Sequence, residues 1–176
     1  MRSRKLLSVE SEKLRPATDR LRETMFDILS NMMDLEGAVA LDLYAGTGSV
    51  GFETLSRGAS KVVFVEADRK IADVLKRNAA ELGVRNKCDI RLMKAETFLR
   101  MNEDKFDIAY VDPPYAINGS TDRIIDRMIS DQIVKDSGVI CVEHSKAYVP
   151  PPSITIRQKF FGSTILSFIK PVQVIV

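Results

Sequence analysis

The chain has 176 residues, 45% of them hydrophobic and 28% charged, enough apolar content to build one core without disulfides or metals. Its uncharged stretches fall short of the roughly 20 apolar residues a membrane span needs, and Met1 to Leu14 has no apolar signal segment. A single cytoplasmic domain over residues 1–176 is therefore expected, with no membrane partner. The net charge of +2 hides an asymmetry: residues 1–22 carry seven basic side chains, Arg4, Lys5, Arg15, Arg20 and Arg22 among them, against three acids, while the remainder holds 19 basic and 21 acidic residues. A basic arm on a mildly acidic body suits a polyanion, because Lys and Arg contacts to phosphates release counterions. The same charge would also serve an arm that is merely solvated.

Taken in chain order, the pattern predicts a helix over 18–33, then short β-branched runs alternating with amphipathic ones. Strands are expected over 39–43, 61–66, 88–92, 106–111 and 138–143, and helices over 49–57, 69–82, 95–101 and 121–133. The strands are nearly continuous apolar runs, as a parallel sheet covered on both faces requires. Pro150-Pro151-Pro152 then breaks the alternation, since a proline run cannot form a helix interior. Two β-rich runs, 153–161 and 163–169, flank Gly162 and read as a terminal antiparallel hairpin. The expected fold class is α/β and Rossmann-like, with a seven-stranded, mostly parallel sheet and an antiparallel edge. The two cysteines, Cys88 and Cys141, have no metal-site spacing and read as buried, reduced core residues, so no metal is expected.

Gly46-Thr47-Gly48-Ser-Val-Gly51 matches GxGxxG directly after a strand and at the opening of a helix, the context of a cofactor loop rather than of an ordinary tight turn. Asp42, four positions earlier, discriminates between ligands. Beside a pyrophosphate its carboxylate would set like charges together; beside the ammonium and sulfonium of S-adenosylmethionine it is attractive. Glu66 ends the second strand, where doubly wound folds place an acid that accepts hydrogen bonds from a ribose diol. Ala95-Glu96, after the third strand, offers backbone groups to an adenine edge, although Glu96 also suits a helix N-terminus by its charge alone.

Asp112-Pro113-Pro114-Tyr115 follows the fourth strand, beside the switch point of the sheet. The Asp112 carboxylate and Pro113 carbonyl can accept hydrogen bonds from an amino group, favouring the positive charge that grows on nitrogen during methyl transfer. Consecutive prolines hold that carbonyl still, and Tyr115 offers an aromatic face to a base turned out of its helix. A stiff turn ending a strand is the structural alternative. His144, the single histidine, has no Ser or Cys partner in a motif and reads as structural or as a pocket-edge residue.

These residues resemble the Asp/Asn-Pro-Pro-Tyr/Phe amino-methyltransferases, and more closely the bacterial family that methylates guanine N2 in small-subunit (16S) ribosomal RNA. The resemblance rests on Arg15-Pro-Ala-Thr18-Asp19-Arg20-Leu-Arg22-Glu23-Thr24-Met-Phe26, Leu41-Asp-Leu-Tyr-Ala-Gly-Thr-Gly48, Val65-Glu-Ala-Asp68, Phe106 to Tyr115, and Arg157-Gln-Lys-Phe-Phe-Gly-Ser-Thr164. It implies that Asp42, Gly46, Thr47, Gly48, Glu66, Ala95 and Glu96 line a pocket for S-adenosylmethionine, with S-adenosylhomocysteine as product. It further implies that Asp112 to Tyr115 grip the target base and that Thr18 to Thr24 close over the cofactor. Arg20 and Arg22 would then lie near the methionine carboxylate or RNA phosphates. The implied partner is ribosomal RNA or a partly assembled small subunit, and a monomer is expected. Adenine-N6 methylation and a non-catalytic RNA-binding assembly role are the alternatives; a nicotinamide dinucleotide enzyme is left only by the glycine pattern.

Overall fold

The computed structural model describes residues 16–113 and 120–171. The elements run α1 (Pro16–Leu29), β1 (Val39–Asp42), α2 (Ser49–Ser56), β2 (Lys61–Glu66), α3 (Arg69–Glu81), β3 (Cys88–Leu92), α4 (Ala95–Met101), β4 (Phe106–Val111), α5 (Ser120–Ser130), β5 (Val134–Ser145), β6 (Thr155–Phe161) and β7 (Thr164–Ile169). One seven-stranded sheet holds every strand, in the order β3-β2-β1-β4-β5-β7-β6. The first five are parallel; β7 runs antiparallel to β5, and β6 antiparallel to β7.

Alternation along the strands feeds two cores. Ala40, Val62, Phe64, Ile108, Tyr110, Val139 and Cys141 pack under α1, α2 and α3, while Leu41, Val63, Val65, Ala109, Val111, Ile140 and Val142 pack under α4 and α5. Both faces are thus covered over the inner parallel strands, which is why β1, β2 and β4 are mostly apolar, whereas the edge strand β3 keeps Asp89 and Arg91 as polar alternates. Chain order reverses between β1 and β4, opening a crevice beyond the carboxyl ends of those two strands.

The structure moves three of the expected boundaries by three residues or more. Helix α1 ends at Leu29, because Ser30 Oγ and Asn31 Nδ2 both donate to the Asp27 carbonyl and offer the chain a turn instead. Helix α5 ends at Ser130; Gln132 adopts φ 50°, and the Ile133 N–H turns back onto Met128 O at 2.9 Å. Strand β5 begins at Val134, earlier than its apolar run, with Phe106 paired to Val134 and Ile108 to Val139 around an irregularity. The bulged residues are polar, so hydrophobic pattern does not register them; Lys135 Nζ instead pairs with Asp107 at 2.8 Å. Cys141 is buried as expected, whereas Cys88 is only half-buried and donates to the Val84 carbonyl at 3.2 Å. Cys88 opens β3, the edge strand of the sheet, where helices cover less. No helix forms between β5 and β6, in line with the proline run.

The third glycine of the loop is a packing residue. A Cβ on Gly51 would lie 2.1 Å from the Phe64 ring, which is itself fully buried. Gly51→Ala is therefore expected to destabilise the protein by about 1–3 kcal/mol through overpacking. Urea unfolding checks this, and an unchanged midpoint would contradict the close approach of α2 to β2.

Candidate active site

The carboxyl ends of β2, β1, β4 and β5 carry Glu66, Asp42, Asp112 and Glu143. Strand alternation turns all four toward the face covered by α1 to α3, because Phe64, Ala40, Tyr110 and Cys141, two residues earlier on each strand, pack in that core. Four carboxylates therefore rim one side of the crevice. Asp42 is 5% exposed, and its Oδ2 accepts a 3.0 Å hydrogen bond from the Gly51 N–H. Burial pushes its carboxyl up to about 7; the Gly51 bond opposes this and the Glu66 charge adds to it.

The loop is built by its glycines and by Glu66. Gly46 and Gly48 take φ of 53° and 92°, left-handed values that suit glycine. Glu66 Oε2 accepts from the Gly46 N–H at 2.9 Å, and its Oε1 accepts from the Asp68 N–H at 2.7 Å. Asn78, a buried residue of α3, donates from Nδ2 to the Thr47 carbonyl at 3.0 Å and ties the buried Thr47 down. The Gly46 amide that a pyrophosphate would need is thus already engaged by a carboxylate. Acidic walls around this loop oppose an anion and favour a cation, the charge that S-adenosylmethionine carries at its ammonium and sulfonium.

Asp112 leaves β4 beside Glu143 of β5, since Val111 and Val142 are paired in register. It is open to solvent on one side and crowded by protein on the others. The crowding, with the Glu143 and Asp42 charges, pushes its carboxyl upward, and the open side tempers that rise. Pro113 is buried behind it. Pro114 and Tyr115 lie outside the described residues, as do Arg4, Lys5 and Arg15.

The remaining predicted positions divide. Ala95 is buried at the start of α4, whereas Glu96 is exposed in its first turn, where the helix dipole favours an acid. Half-buried Tyr44 lies near Glu96, and burial first, then that charge, pushes its hydroxyl up to about 12. Arg20 is exposed, while Arg22 pairs with Asp19 at 2.8 Å across one helical turn, so part of its charge is locally answered. His144 is buried: Nδ1 donates to the Ser145 carbonyl at 2.7 Å, which leaves Nε2 to accept from Ser167 Oγ at 2.7 Å. Ser167 Oγ in turn accepts from Gln158 Nε2 at 2.9 Å, and burial keeps the ring neutral. This imidazole staples β5 to β7 and β6.

Sequence reasoning passed over Glu143 and Asn78. The signal for Glu143 was a fourth acid closing a strand as Asp42, Glu66 and Asp112 close theirs. Asn78 gave no such signal, because a buried amide inside an amphipathic helix resembles any polar position until its partner is placed.

The pH dependence of stability should report Asp42. Its folded pKa of about 7 lies above the ordinary 3.8, so the native state binds the proton more tightly than the unfolded chain. Stability is fullest below the unfolded value and falls as pH rises toward about 7. Asp42→Asn removes the titration and can keep an acceptor for Gly51, so its stability relative to the parent is expected to rise from about pH 4 to pH 8. Parallel pH profiles for parent and variant would overturn the assignment.

The sheet order, the acid-rimmed glycine loop and the aspartate at the switch point define a Rossmann-like methyltransferase fold. Residues 1–170 match the family described as Conserved hypothetical protein 95. The chain is 36% identical over 148 residues to the ribosomal RNA small subunit methyltransferase D of Haemophilus influenzae, covering 82% of this chain and 75% of that protein. The solved structure of yhhF from Escherichia coli superposes with a TM-score of 0.82 at 31% identity, covering 95% of this chain and 91% of that one. A Salinibacter ruber RNA methyltransferase in complex with S-adenosyl-L-homocysteine shares the fold, with a TM-score of 0.66 at 13% identity over 93% of this chain and 95% of that one. The chain belongs to the ribosomal RNA small subunit methyltransferase D family.

Proposed function

We propose that the protein transfers a methyl group from S-adenosylmethionine to an exocyclic amine of ribosomal RNA, namely guanine N2 in 16S RNA. What carries the reading is the row of acids on one sheet face: Asp42 and Glu66 flank the glycine loop, and Asp112 stands one strand away from Asp42. When bound, S-adenosylmethionine supplies a methyl activated by its sulfonium. The Asp42 carboxylate favours that cationic ligand and Glu66 accepts from its ribose diol, while Gly46, Thr47 and Gly48 let backbone approach it and Ala95 and Glu96 border its adenine end. Asp112 and the Pro113 carbonyl accept the amine's hydrogens, aim its lone pair and favour the positive charge that builds on nitrogen. The proton released after transfer passes to Asp112 and leaves by its solvent-open side. Pro114 and Tyr115 complete the grip, with Tyr115 stacking on the flipped base. The basic side chains of residues 1–22, Arg4, Lys5, Arg15, Arg20 and Arg22, take up RNA phosphates.

In this reading a cytoplasmic monomer with one catalytic domain acts on RNA within a partly assembled small subunit. Among the described residues no helix is long and apolar enough to cross a membrane, and no cluster of three or more His, Cys, Asp or Glu is placed to hold a metal. Labelled methyl transfer to total RNA and to partly assembled subunits, followed by nucleoside mapping, tests the reading. N2-methylguanine is the expected product. Label in N6-methyladenine alone would replace guanine by adenine, and failure to bind S-adenosylmethionine at millimolar concentration would favour a binding module.

A further inference from the structure

The last stretch of the chain differs in charge from the body it joins. Residues 144–176 contain Lys146, Arg157, Lys159 and Lys170 and no acid, whereas residues 23–143 hold 15 basic and 21 acidic side chains. Strand β6 concentrates the difference. It is an edge of the sheet, and its residues from Ile156 to Phe160 are exposed. Neither Arg157 nor Lys159 has an ion-pair partner among the described residues. The opposite edge, β3, is built the other way: there Asp89 binds Arg91 at 2.7 Å and Lys61 at 3.6 Å, which neutralises the strand.

Exposed lysines and arginines on an edge strand serve to discourage pairing with other strands, and that would explain the cations by themselves. It does not explain Phe160, which is 62% exposed next to Lys159, or Ile156, which is 46% exposed next to Arg157. Large apolar side chains on an unprotected edge invite the pairing that charge is meant to prevent. An exposed aromatic next to cations that have no ion-pair partner among the described residues, on a segment without acids, matches single-stranded nucleic acid, whose phosphates meet the cations and whose bases stack on the ring. A second copy of the chain fits poorly, since edge pairing would bring two acid-free strands together.

Register connects this edge to the catalytic crevice. Glu143 pairs with Leu166, and Leu166 pairs with Lys159, so Lys159 shares a sheet face and a lateral row with Glu143 and its neighbour Asp112. Three strand spacings, about 14 Å, separate Lys159 from Asp112 across the sheet. A strand whose base occupies the crevice can therefore reach the β6 edge within a few nucleotides. Arg157 pairs with Phe168 on that same face, extending the positive row along the edge.

We infer that β6 is an RNA-docking edge, with Arg157 and Lys159 on backbone phosphates along the crevice face and Phe160, on the other face of the strand, under an unpaired base where the RNA rounds the edge. The inference rests on the reading that RNA is the substrate. It adds a second positive surface, at the far end of the chain from the basic arm.

Three exposed-site variants test it in the full chain with S-adenosylmethionine and ribosomal RNA: Arg157→Ala with Lys159→Ala, Phe160→Ala, and a charge-matched control on the β3 side, Arg85→Ala with Lys87→Ala. The Arg157/Lys159 pair is expected to raise KM for RNA at least tenfold while leaving kcat at saturating RNA and the cofactor Kd within about twofold. The slope of log affinity against log salt should flatten by about 0.7 for each phosphate no longer neutralised. Phe160→Ala should weaken RNA binding about tenfold without changing that slope. The β3-side control should change KM by less than about twofold. If both double variants weaken RNA binding equally, only overall charge matters and the docking edge is refuted. A dimer that disappears in Phe160→Ala, with RNA affinity intact, would make β6 a self-association edge instead. A parent protein that neither binds nor methylates RNA sinks the functional reading; a parent that does both, with all three variants matching it, sinks only the docking edge.

Discussion

Asp112→Ala is expected to lower methyl transfer by about 10²-fold or more at saturating RNA, with the cofactor Kd unchanged within a few-fold. Removing one preorganised group aligned with developing charge costs roughly that much in other enzymes. The location of Asp112 explains the split. It leaves β4 on the solvent-open side of the crevice next to Glu143, one strand away from the glycine loop that surrounds Asp42. Because the carboxyl is pushed upward by crowding and by two neighbouring acids, turnover should also rise with pH as Asp112 ionises and gains its full power as an acceptor. Single-turnover kinetics with pre-bound cofactor separate chemistry from binding. Full activity of Asp112→Ala would remove Asp112 from the catalytic role.

The second large effect is expected at Asp42, where the Gly51 hydrogen bond decides which substitution is informative. Asp42→Ala would delete both a charge and the acceptor for the Gly51 N–H, so it would loosen the start of α2 as well as the pocket. Asp42→Asn keeps an oxygen for Gly51 and removes only the charge. Removing a charge-assisted hydrogen bond to the ligand's cationic end costs about 1.5–3 kcal/mol, or roughly a ten- to hundredfold rise in the S-adenosylmethionine Kd. Titration calorimetry of parent and variant measures it, with turnover at saturating cofactor expected to stay within about fivefold. An unchanged Kd would make Asp42 a purely structural anchor of the helix.

Much of this fold was legible in the sequence for a physical reason. Doubly covered parallel strands must be apolar on both faces, so Lys61–Glu66 and Phe106–Val111 stand out as runs that are apolar over most of their length, while the edge strand Cys88–Leu92 alternates Cys, Ile and Leu with Asp89 and Arg91; the observed strands coincide with all three. Glycine, proline and acid signals likewise marked the loop at Gly46, the end of the crossover pattern at Pro150, and the strand-end acids Asp42, Glu66 and Asp112. Each of these is a local constraint, settled by backbone conformation or by the side chain's own chemistry.

What only the tertiary structure decided involves partners distant in the chain. The sequence named Glu66 as a ligand-facing acid; folding shows it also holds the Gly46 amide, 20 residues away. Asn78 became a loop anchor through Thr47, and His144 a staple through Ser167. Glu143 became Asp112's neighbour only because β5 pairs with β4 in a particular register. Strand β5 started earlier than its apolar run because ladder hydrogen bonds ignore side-chain polarity, which pattern reading cannot. The sequence by itself determined which residue types stood at strand ends and turns, because those choices answer to local sterics and burial. Which charges face each other, and how strongly each carboxyl is raised, was decided by the sheet order, since Coulomb interactions and desolvation depend on distances through space and not along the chain.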